Sequence, residues 1–95
     1  MSLNGVIPDD AVLVIQRHFR LQYEEAQKSW VLLYPEGMVK LSTSAGEIMK
    51  RIDGKGTTQD LLRHLEESFP GADLKQDVLN FLKVAHERGW IGNKQ

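Results

Sequence analysis

The stretch Ser29 to Leu41, SWVLLYPEGMVKL, constrains the fold most, because it spells out a β-hairpin with little help from the rest of the chain. Trp30 to Tyr34 is an unbroken aromatic and aliphatic run, the composition of a strand. Pro35 presets φ for the first central position of a turn, and Gly37 can take positive φ where the chain rejoins the sheet. Met38 to Leu41 is a second short strand. Before the hairpin, Phe19-Arg20-Leu21-Gln22-Tyr23 alternates apolar and polar residues, the period of a half-buried strand. The prediction is a three-stranded antiparallel meander over residues 19–23, 29–34 and 38–41. Lys40 suits an exposed edge, since a charge there discourages unwanted pairing.

From Ser42 onward the pattern is helical. Ala45, Ile48, Met49 and Ile52 recur at i, i+3, i+4 and i+7, one face of a first helix over residues 44–52. Ser44 and Glu47 fit its capping box, with Ser42 as an alternative cap and Gly54 as a stop. Thr57 caps a second helix carrying Leu61, Leu62, Leu65 and Phe69, ended by Pro70-Gly71. Asp73 and Gln76 form another capping-box pair, opening a third helix that runs to Arg88. Gly89 then supplies its C-terminal cap, and Trp90-Ile91 fold back on the core. The order βββααα makes an α+β domain of winged-helix-like layout at residues 18–92, with an extended arm at 1–17 and a tail at 93–95. In that arm, Pro8-Asp9-Asp10 reads as a turn. Ala11 to Ile15 is too short to assign by periodicity: it is either an edge strand lying on the domain or an element exchanged between two chains in a homodimer.

Several function classes are excluded early. The chain has no cysteine, which removes disulfides, thiolate metal sites and cysteine nucleophiles. His18, His64 and His86 are scattered, without the paired spacing of a metal site. Gly54-Lys55-Gly56 is too short for a phosphate-binding loop, and no Ser/His/Asp constellation can be argued. An enzyme is not expected, nor a cofactor. No apolar run approaches the roughly 20 residues that span a bilayer. The start MSLNGVIPDD lacks a basic region followed by a hydrophobic stretch, so a cytoplasmic protein is expected. A winged-helix regulator binding DNA is the alternative function. Its recognition helix should be rich in lysine and arginine, whereas here Lys75, Lys83 and Arg88 balance Asp73, Asp77 and Glu87.

The third helix carries the strongest hint of a binding surface. At ~100° per residue, Leu74, Val78, Leu79, Phe81, Leu82, Val84 and Ala85 cover an arc of roughly 220°, about twice the usual stripe. Either the helix sits centrally in the core, or one flank covers the core while the other lines a hydrophobic groove. On the second reading Leu79 and Leu82, with Lys83 and His86 beside them, form the groove wall, and the opposite flank with Val84 and Arg88 is the fallback.

The Pro-Glu-Gly turn, the following Lys-Leu-Ser and Ala45-Gly-Glu-Ile48 resemble the pyrroloquinoline quinone (PQQ) biosynthesis protein D family, PqqD. So do Ile52-Asp53-Gly54, Phe69-Pro70-Gly71-Ala72-Asp73-Leu74 with Asp77-Val78, and Arg88-Gly89-Trp90-Ile91. The resemblance spans residues 18 to 92. It implies a winged-helix-like peptide-binding domain, a RiPP recognition element acting as a peptide chaperone. Such a protein binds the precursor peptide PqqA and presents it to the radical SAM enzyme PqqE, which cross-links a glutamate to a tyrosine of that peptide. The expected mechanism is strand addition to the 38–41 edge. The expected peptide-binding residues are Met38, Val39, Lys40 and Leu41 on the strand, and Leu79, Leu82, Lys83 and His86 on the third helix.

Overall fold

A computed structural model describes residues 10–94. Residues 1–9, and with them Pro8 and Asp9 of the predicted turn, lie outside the described residues, as does Gln95. The meander forms as the alternation dictates: β2 (Arg20–Glu24), β3 (Ser29–Tyr34) and β4 (Gly37–Lys40) pair antiparallel in the order β2-β3-β4, following a short β1 (Leu13–Ile15). Tyr34 pairs with Gly37 across the two-residue turn Pro35-Glu36. The β2–β3 connection closes with the Lys28 amide donating to the Glu25 carbonyl, and Lys28 takes a φ of 51° to rejoin the sheet.

Three helices follow: α1 (Thr43–Met49), α2 (Thr58–Ser68) and α3 (Lys75–Glu87). Ser42, not Ser44, caps α1: its hydroxyl accepts from the Ala45 amide at 3.1 Å. Thr57 and Asp60 cap α2 reciprocally, each side chain accepting the other's backbone N–H. The predicted Asp73–Gln76 box is absent. Leu74, at φ −96° and ψ −16°, occupies the cap position of α3 and supplies no side-chain bond, so Asp73 lies one residue too early. At the other end Gly89, at φ 76°, donates to the His86 carbonyl and Trp90 donates to that of Ala85. That pair of bonds is a Schellman motif, which needs a left-handed residue where only glycine is unstrained.

The βββααα order needs a correction, because two further strands flank it. Beyond the Gly89 turn, β5 (Ile91–Asn93) runs antiparallel to β1, with Val14 opposite Gly92. The other side of β1 is also occupied: Val12 bridges Thr57, and the Thr58 amide donates to the Ala11 carbonyl at 3.0 Å. The described part of the arm is therefore built into its own chain. Leu13 and Ile91 from this small sheet join Leu32, Met49, Leu61, Leu65, Leu79 and Leu82 in one core. Trp30 closes it from β3 by lying on Gly46 of α1, where a Cβ would meet the indole Cδ1 at 2.7 Å. No helix among the described residues is long and apolar enough to cross a membrane.

Candidate peptide-binding site

The free edge of β4 comes directly from the sheet order. The Leu41 amide donates to the Trp30 carbonyl at 3.0 Å, so Leu41 and Trp30 form a hydrogen-bonded pair. Antiparallel ladders alternate. With Leu32 opposite Val39 and Leu33 opposite Met38, the backbone groups of Val39 point into the sheet, and those of Met38 and Lys40 point out of its edge. The side chains of Met38 and Lys40 are exposed, Val39 is half-buried and Leu41 is buried.

Where β4 ends, a groove of about 680 Å³ begins. Ser42, Thr43 and Ser44 form its near rim; Ala45, Ile48, Leu65 and Val78 are its buried floor; Leu74 and Phe81 are its half-buried wall. Phe69 sits at the rim, 41% exposed. Arg51 holds that end in place. Its guanidinium donates to the Glu47 carbonyl and carboxylate and to the Ser68 hydroxyl, and lies 6.0 Å from the Phe69 ring centre. The Arg51 hydrogen bond also holds the Glu47 carboxyl below the usual carboxylate range; burial opposes this and Lys50 reinforces it. Among the described residues, two carboxylates, Glu47 and Asp77, line the groove, and no lysine or arginine does.

This geometry divides the predicted site. Leu79 and Leu82 are 4% and 0% exposed and lie in the core away from the groove lining; Lys83 is exposed and His86 half-buried beyond them. The stripe that α3 and its cap residue turn toward the groove is Leu74, Asp77, Val78 and Phe81, spaced i, i+3, i+4 and i+7, with Val78 in the floor. On a helical wheel these sit toward the flank that continues to Val84 and Arg88, the fallback side. The double-width apolar arc thus reflects both uses: core on one flank, open groove on the other. Phe69, Leu74, Val78 and Phe81 were visible in the sequence only as helix-face apolar residues, with nothing to separate floor and wall from core.

Residues 29–91 match the sequence model of the family described as Coenzyme PQQ synthesis protein D (PqqD). The chain belongs to the PqqD family. It is 51% identical over 83 residues to a PqqA binding protein of Pseudomonas paraeruginosa, covering 86% of this chain and 90% of that relative. It is also 51% identical over 79 residues to a PqqA binding protein of Acinetobacter baylyi, covering 82% and 80%. Its fold resembles the solution structure of the PqqD truncation of Methylobacterium extorquens PqqCD, a stand-alone RiPP recognition element. The TM-score is 0.70 at 24% identity, over 85% of this chain and 88% of that one. The described side chains hold no group of three or more His, Cys, Asp or Glu able to bind a metal ion.

Proposed function

We propose that this protein is a cytoplasmic peptide chaperone of PQQ biosynthesis that binds the PqqA precursor and presents it to the radical SAM enzyme PqqE. The peptide adds as a strand to the free edge of β4 and continues into the groove beyond Leu41. The observation that carries this reading is the conjunction of a bare edge, at Met38 and Lys40, with an apolar groove starting at the strand's end. Backbone bonds to the edge supply affinity that tolerates sequence variation, and the groove selects side chains. Ordering a flexible precursor costs about 2–5 kcal/mol, which burial against Phe69, Leu74, Val78 and Phe81 has to offset. The names of the related PqqA binding proteins, and the fold that this chain shares with a recognition element, support the same partner. A groove lined by carboxylates and no cation favours a peptide over nucleic acid.

The test is an NMR titration of labelled protein with PqqA. Shifts should centre on Met38, Lys40, Ile48 and residues 74–81. Shifts centred on Lys83 and His86 would move the site to the other flank. Strand addition is tested at Lys40, because proline at Val39 would break the ladder to β3 and confound binding with folding. Lys40→Pro removes an outward N–H and should weaken PqqA binding while the fold survives. Full affinity in that variant would argue against use of this edge.

A further inference from the structure

The role inferred for one rim residue, which no ion pair among the described residues engages, rests on that peptide reading. Glu47 is engaged by Arg51 at 2.8 Å and by Lys50 at 3.1 Å, while exposed Asp77 takes part in no ion pair among the described residues. Asp77 stands one turn before Phe81 on the helix stripe that forms the groove wall. We propose that Asp77 selects charge: the segment seated in the groove carries a bulky apolar side chain and, two residues from it, a lysine or arginine. The spacing follows from geometry. Asp77 and Phe81 are separated by about 6 Å along α3. Same-side residues of an extended chain are separated by about 6.6 Å. With the extended segment running along α3, a side chain packed on Phe81 places its i±2 neighbour at the Asp77 carboxylate.

Asp77 also lies in the first turn of α3, where a carboxylate favours the helix dipole, so loss of affinity in a variant alone would not identify the role. The experiment is a cycle between protein and peptide. Fluorescein-labelled PqqA, with each lysine replaced in turn by norleucine and each arginine by citrulline, is titrated against the native protein, D77N and D77E. One replacement, two residues from a bulky apolar side chain, should cost the native protein and D77E roughly two- to fivefold in affinity and cost D77N nothing. A purely helical role would shift all peptides alike and leave their ratios unchanged, which overturns the proposal. L74D separates the two readings. If L74D weakens every peptide but no cation is discriminated, charge selection falls and the groove stands. If L74D binds PqqA like the native protein, or the native protein binds no PqqA, both fall.

Discussion

β1 and β4 are strands of three and four residues that the fold treats in opposite ways. β1 is held by β5 on one edge, and the residues leading into it are tied on the other side by the Val12–Thr57 bridge and the Ala11–Thr58 hydrogen bond. Among the described residues, β4 is held on one side only, by β3. Their side chains follow suit: Leu13 of β1 is 3% exposed and Met38 of β4 is 48% exposed. An unpaired edge invites association with another chain and is usually blunted by shortness or charge. Here the edge has both devices, yet it runs into an open apolar groove. The contrast separates what closes the domain from what the domain leaves open.

The largest effect expected from breaking this contrast is at Leu13. Leu13→Ala should lower unfolding free energy by about 2–5 kcal/mol, since it leaves a cavity where the chain ends meet the core. Met38→Ala should stay within about 0.5 kcal/mol, as exposed substitutions do. Urea denaturation of both variants checks the pair, and comparable losses would mean that β4 is as integral to the core as β1. A smaller effect is expected at Gly46, the contact that ties α1, and with it the groove floor, to the meander. Gly46→Ala drives a methyl group into the Cδ1, Cβ and Cγ atoms of Trp30, which are not a yielding side-chain tip. Overpacking of this kind costs about 1–3 kcal/mol, readable in the same assay and in altered Trp30 fluorescence.

The same contrast marks what could be read from the sequence. β3, its turn and the Gly89 cap are local: Trp30–Tyr34 needs only its own composition, and a glycine after a helical run needs only its own backbone freedom. The β1–β5 sheet is not local. Ala11–Ile15 and Ile91–Asn93 are each too short to declare themselves, and their pairing exists only once three helices have brought the chain ends together. The groove shows the same limit. The width of the apolar arc on α3 left open whether the helix sat centrally in the core or also lined a groove, and which flank stayed open depended on where Ile48 of α1 and Leu65 of α2 came to rest. Leu79 and Leu82, read as groove wall, are core for that reason.

Acid offers the smallest way to sharpen the comparison. Of the carboxyls that the fold depresses, Glu47, Asp53 and Asp60, it is Asp60 that sits beside the residues clasping the start of β1, and none belongs to β4. The Thr57 amide donates to the Asp60 carboxylate at 3.0 Å, and that bond, helped by the Thr57 hydroxyl and Arg63, holds the Asp60 carboxyl below its ordinary value. A carboxyl depressed by folding contributes stability that is fully present above its unfolded pKa, about 4, and is lost as pH falls through the lower folded value. Protonation therefore loosens Thr57 and Thr58, the residues that clasp Val12 and Ala11. Amide-exchange protection at Thr58 should fall as pH drops below about 4, while protection at Leu41, bonded to Trp30, holds across the same range. In Asp60→Asn the Thr58 amide should be less protected at neutral pH and no longer respond to acid. Parallel loss at Thr58 and Leu41 would show that the two strands open together, so that β4 owes its bare edge to topology alone and not to a separately stable half of the domain.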